Sequence, residues 1–82
     1  MIISDYGEIK TKVPELGQRF RIQKGKRETV WKIIASVNFE GCYGLLLCEN
    51  MGYTCGTYVW RERQITGSKT IEGCVKQAYD HT

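Results

Sequence analysis

Apolar residues fall at every second position through the middle of this chain and shift to a helical spacing near its end. Arg19-Phe20-Arg21-Ile22-Gln23 alternates, and as a strand it sends Phe20 and Ile22 to one face and Arg19 and Arg21 to the other. Pro14 and Gly17 just before it argue against a helix. Lys24-Gly25-Lys26-Arg27 reads as a turn in which Gly25 is free to take a positive φ. Thr29 to Phe39 is the strongest strand signal. Trp31, Ile33, Ala35, Val37 and Phe39 recur at period two, and Val30, Lys32, Ile34, Ser36 and Asn38 take the other face. Its length predicts a bend or bulge near Ala35-Ser36.

Glu40 to Gly44 reads as the next turn. Leu45 to Glu49 is a strand apolar on both faces, hence central, and Asn50-Met51-Gly52 is a turn suited to left-handed geometry. Thr57 to Arg63 reads as a fourth strand, with Gly56 as a bulge. After Ser68 the period changes. Ile71, Cys74, Val75, Ala78 and Tyr79 make one apolar stripe on a helix of about three turns. Ser68 is the expected N-cap, and Glu72 suits the first turn. Gly73 costs about 1 kcal/mol relative to Ala, so this helix depends on packing against the sheet. Residues Met1 to Val13 offer Ile2, Ile3 and Ile9 to an edge strand. The expected fold is mainly β: a small curved antiparallel sheet, or an SH3-like or OB-like barrel, of four to five strands capped by a C-terminal helix. The barrel comparison is an analogy of size and rhythm only.

A length of 82 residues predicts a single domain spanning residues 1–82. Folding at this size buries only about two-thirds of the unfolded surface, so a covalent or metal staple would help. The four cysteines, Cys42, Cys48, Cys55 and Cys74, are spaced C-x5-C, C-x6-C and C-x18-C. None of these is a zinc knuckle, and a four-thiolate site would have to assemble from distant strands, so no metal or other cofactor is expected. A Cys48–Cys55 bridge would cross the predicted hairpin but needs an oxidising compartment. MIISDYGEIK lacks a basic segment followed by a long apolar one, so an export signal is not expected and a cytoplasmic location is. Cys48 and Cys74 read as small apolar core residues; Cys42 and Cys55, beside glycines, stay undecided. No apolar run approaches the ~18 residues of a membrane span, so no membrane partner is expected.

Catalytic motifs are missing. His81 is the sole histidine, no G-x-S-x-G occurs, and Gly25-Lys26 fails as a P-loop because Arg27 follows it and Phe20 holds the upstream glycine position. Paired carboxylates could still meet in space, with Glu40, Glu49 and Glu62 as candidates, but nine acids give chance proximity easily and glutamates are usually solvated. A chain this short also has little room for a ~300 Å³ pocket, so the chain is expected not to be an enzyme.

Charge is what gives this sequence a functional direction. The net +3 is mild, but residues 10–32 hold eight bases against two acids, a local +6 on a segment most of which is the predicted hairpin. Arg19, Arg21 and Lys32 share its outer face, and Lys24, Lys26 and Arg27 crown its tip. Such a ribbon could follow a nucleic-acid backbone, with Tyr58 and Trp60 available for base stacking. The alternative is a small adaptor or inhibitor of the kind common among accessory proteins of phages and mobile elements. It would dock on a protein through the same basic ribbon and through Tyr53 to Arg61, where Tyr58, Trp60 and Arg61 have the composition of interface hot spots. Solvated surface for the bases and a core position for Trp60 are the plain alternatives. An open sheet edge would also permit a homodimer.

Overall fold

A computed structural model describes residues 1–36 and 40–82, and the side chains there apart from Thr54, Ile65 and Thr66. Five strands follow in order: β1 (Ile2–Ile3), β2 (Arg19–Lys24), β3 (Arg27–Ala35), β4 (Tyr43–Thr54) and β5 (Thr57–Ser68). A 3₁₀ turn, Tyr6–Lys10, lies between β1 and β2, and helix α1 (Ile71–His81) closes the chain. The expected mainly β fold with one C-terminal helix is what forms.

The strands lie side by side in chain order, β1-β2-β3-β4-β5. The sheet is mixed and open. β1 runs parallel to β2, through Ile2 opposite Arg21 and Ile3 opposite Ile22, while every other pair is antiparallel. This corrects the all-antiparallel expectation: the 3₁₀ turn and the loop after it carry the chain back along the sheet, so that β2 starts from the same end as β1. Among the described residues the curved sheet does not close on itself, since β1 and β5 stand at opposite ends of the strand order.

The alternation in β2 and β3 works as read. Phe20, Ile22, Trp31 and Ile33 are buried, with Ile3, Ile9, Leu45, Cys74, Val75 and Ala78 in the same cluster. One face of the sheet is thus covered by α1 and the 3₁₀ turn. The molecule is 18 Å across its thinnest direction, and among the described residues no third layer lies over the other face. The Trp31 indole is held from within: its Nε1 donates to Thr29 Oγ1 at 2.6 Å, Thr29 Oγ1 meets Thr82 Oγ1 at 2.7 Å, and Thr82 Oγ1 donates to the Ala78 carbonyl.

Three boundaries differ from expectation. The helix N-cap is Thr70, whose side chain accepts from the Gly73 amide, while Ser68 accepts from the Thr70 amide. Gly73 is required as well as tolerated, since a Cβ there would collide with Ser68 Oγ. The chain does not turn at Asn50-Met51-Gly52. That segment is a bulge inside β4, with Gly52 at φ 106° and Asn50 Oδ1 accepting from the Gly52 amide. The reversal comes at Cys55-Gly56, both at positive φ. β3 ends at Ala35, and Val37 to Phe39, the far end of the expected second strand, lie outside the described residues.

Candidate functional site

Register decides which side chains meet on the open face. Arg19 pairs with Lys32, Lys32 with Leu46, and Leu46 with Gln64; Arg21 pairs with Val30, Val30 with Cys48, and Cys48 with Glu62. These two rows therefore gather on one face of four strands, far apart in sequence.

Glu62 sits at their meeting point. Its Oε1 accepts from Lys32 Nζ at 2.8 Å and from Arg19 Nη2 at 3.1 Å, and the Cys48 thiol lies 4.0 Å away. These hydrogen bonds, with Lys32 contributing most and Arg19 next, hold the Glu62 carboxyl below its ordinary value. Burial pushes the Cys48 thiol up, and burial does the same to Cys74. Arg21 pairs with Glu28 at 3.6 Å. All three cations of the open face are thus engaged by carboxylates. Arg19 and Arg21 remain more than half exposed, and each guanidinium has five donors, so both keep donors for a ligand.

The remaining bases of the ribbon go elsewhere. Lys24 turns to the helix side, its Nζ 4.8 Å from the Tyr79 ring centroid. Lys26 and Arg27 are exposed at the hairpin end and have no ion pair among the described residues. The six bases therefore do not form one continuous row.

Trp60 is 47% exposed, so it does not belong to the core. It lines a cavity of about 380 Å³ on the open face together with Arg19, Arg21, Val30 and Cys48. The space is an open trough on the sheet and stands outside the core.

The second feature is an arm. β4 pairs with β3 only from Tyr43 to Cys48, whereas β4 and β5 stay paired out to Thr54 and Thr57. Among the described residues, no third strand supports the outer half of this hairpin. Residues 50–60 contain no charged side chain. Met51, Tyr53, Tyr58, Val59 and Trp60 are all exposed there, with Tyr53 at 69% and Tyr58 at 61%. The two tyrosine rings meet edge-to-face at 5.7 Å. Tyr58, Trp60 and Glu62 alternate onto the open face, and Val59, Arg61 and Arg63 take the other, where Arg63 pairs with Glu49 at 2.9 Å. Sequence reading singled out the stretch Tyr53 to Arg61, with Tyr58, Trp60 and Arg61 in it, but missed Met51, which it placed in a turn. The charge-free stretch around it was the available signal.

All four cysteines are free, with Cys55 exposed at the arm's tip and Cys48 buried beneath the trough. Among the described residues, no three of His, Cys, Asp and Glu come together to hold a metal ion. Glu49 and Glu62 lie on opposite faces, each bound to its own cations, and His81 lies against Trp31 on the helix side. Among the described residues, no helix is long and apolar enough to cross a membrane. No family model, curated protein or solved structure matches this chain.

Proposed function

We propose that this chain is a non-enzymatic, cytoplasmic binding module, an adaptor or inhibitor that docks on a protein partner through the β4–β5 arm. The observation that carries this reading is the charge-free arm itself. Five large apolar side chains stand exposed on a two-stranded projection that gains nothing from a third strand. An isolated hairpin is marginal in water, and an exposed apolar patch marks a contact surface. Tyrosine, tryptophan and arginine are the residues that dominate binding energy at interfaces.

A second reading, single-stranded nucleic acid on the open face, is favoured by one observation: Trp60 is exposed beside Arg19 and Arg21, with Lys26 and Arg27 free at the ribbon end. Against it stand Glu62 and Glu28, which occupy the cations a phosphate would need. Salt separates the two. Nucleic-acid binding must weaken steeply as salt rises, because each neutralised phosphate releases counterions. Oligonucleotide titrations from low to moderate salt are expected to show at most weak binding, while nuclease-treated affinity purification retains one stoichiometric protein. Tight, salt-steep oligonucleotide binding with no retained protein would reverse the ranking.

A further inference from the structure

Besides its apolar side chains, the β4–β5 arm has an open outer edge. β5 ends the strand order, and among the described residues nothing pairs with its far side. Every residue from Thr57 to Gln64 is exposed. The turn fixes which main-chain groups point outward. Cys55 and Gly56, both at positive φ, make a two-residue reversal that Thr54 and Thr57 close as a hydrogen-bonded pair. Alternation along the strand then turns the N–H and C=O of Val59 and Arg61 toward β4, and those of Tyr58, Trp60, Glu62 and Gln64 away from it. The bulge at Met51-Gly52 lies in β4 and leaves this alternation in β5 undisturbed.

Sheet edges of this kind are usually blunted by short strands, prolines or lysines. β1, at the other edge, is two residues long. β5 has twelve residues, with no proline and no lysine. Two of its three charges are tied into their own sheet, Glu62 to Lys32 and Arg19, and Arg63 to Glu49. Only Arg61 has no ion pair among the described residues.

We propose that β5 pairs antiparallel with β5 of a second copy of this chain, about a two-fold axis at Val59. A two-fold pair opposes residues at equal distances from its centre, and the charges choose the centre. Centres at Arg61, Glu62 or Arg63 set a charge against its own copy, which destabilises a strand pair. A centre at Trp60 sets Tyr58 against Glu62. A centre at Tyr58 runs Trp60 onto Gly56 of the turn, and one at Gln64 runs into the register shift between Ile65 and Ser68. The centre at Val59 sets Val59 against Val59 and Tyr58 against Trp60 twice over, with Arg61 against Thr57. The apolar side chains of the edge then meet only apolar partners. Tyr58 and Trp60 also bring outward main-chain groups, so each Tyr58–Trp60 pair is hydrogen-bonded. This match of the edge to itself, in side chains, charge and backbone direction, is what selects a second copy as the occupant.

Pairing gives each arm the third strand it lacks. Tyr53, Tyr58 and Trp60 share the open face, so three rings from each copy join in one band. The faces of the arm stay uncovered, and the pairing stands independently of docking on another protein. Because dimerisation is linked to concentration, unfolding in dilute solution reads the monomer alone.

Sedimentation equilibrium of the full chain over a range of concentrations tests the pairing. The mass is expected to rise from 9.4 kDa toward twice that value. Val59 is exposed, so changing it spares the core. Val59→Lys and Val59→Glu each set like charges across the axis and should weaken self-association about tenfold or more. An equimolar mixture of these two variants should pair again, a gain that a misfolded variant cannot mimic. Lys76→Ala, on the helix, should leave the wild-type association unchanged. A wild-type chain that keeps the monomer mass throughout overturns the pairing, as does a dimer that both Val59 variants leave intact. Val59→Glu that associates with itself more tightly than wild type places residue 59 beside Arg61 and overturns the axis, as does a mixture no tighter than its components. Arm docking is read separately, by whether monomeric Val59→Lys still retains the protein partner.

Discussion

The two faces of this sheet are built from the same alternating strands and have opposite fates. On the covered face, Phe20, Ile22, Trp31 and Ile33 meet α1 and are buried to 1% exposure or less. On the open face, one residue away along each strand, Arg19, Arg21, Lys32 and Glu62 are held by ion pairs around a trough. The covered face is closed by packing and by the Trp31–Thr29–Thr82 chain of hydrogen bonds. The open face is polar enough to stay in water, yet Val30, Cys48 and Trp60 line its trough. One face supplies stability; the other is the face on which the proposed binding depends.

Phe20→Ala and Trp60→Ala break this comparison most sharply. Phe20→Ala removes a fully buried ring and is expected to cost about 3–5 kcal/mol. That would leave a domain of this size close to unfolded. Trp60→Ala removes a larger side chain yet should change stability by no more than about 0.5 kcal/mol, as for other surface changes. Urea unfolding of both variants measures the difference, and equal losses would mean Trp60 is a core residue.

Gly67→Ala tests where the β4–β5 hairpin is locked. A Cβ at this position would run into the Tyr43 carbonyl and the Gly44 Cα, which are backbone and cannot swing aside. A loss of about 1–3 kcal/mol or more is expected, the scale of overpacking. Gly56→Ala at the other end of the hairpin meets nothing nearer than the Tyr53 hydroxyl, although its positive φ carries a strain of its own. The hairpin is thus tightly packed at its base and, among the described residues, has no third strand along its arm. Thr29→Val keeps shape but removes the acceptor of the buried indole N–H, and should cost about 1–3 kcal/mol in the same assay.

The smallest effect is electrostatic. The Glu62 carboxyl is held below its ordinary value by Lys32 and Arg19, so its folded-state value lies under its unfolded one. Its contribution is complete above the unfolded value and is lost as pH falls through the folded one. Stability should therefore drop below the ordinary glutamate range, and Glu62→Gln should flatten that part of the profile. Because the pair faces solvent, added salt should shrink the difference as well. A profile unchanged by the substitution would show that Glu62 does not fasten the open face.

What the sequence made legible was short-range. Period two over Arg19 to Gln23 and Thr29 to Ala35 placed two strands and assigned both faces, and the stripe from Ile71 to Tyr79 placed the helix. Asn50-Met51-Gly52 misled because a bulge and a turn demand the same residues: an Asn that caps its own backbone and a Gly at positive φ. β1 is two residues long, too short to show any period or its parallel sense. Ser68 and Thr70 are both competent caps, and only the geometry at Gly73 chooses between them. For the site, the nine expected residues divided by strand register. Arg19, Arg21, Lys32 and Trp60 came together, Tyr58 and Arg61 went to opposite faces of the arm, and Lys24 went to the helix side. Glu62, forty-three positions from Arg19, was invisible as their partner because that contact depends on three strand registers in succession.

Affinity purification under nuclease, with the wild-type chain beside the Tyr58→Ser/Trp60→Ala double variant, tests the division of labour between the faces most directly. The account predicts that the variant unfolds at the same urea concentration as wild type and retains none of the stoichiometric protein that wild type holds. A variant that keeps the partner, or a wild-type chain that retains only nucleic acid, would contradict it.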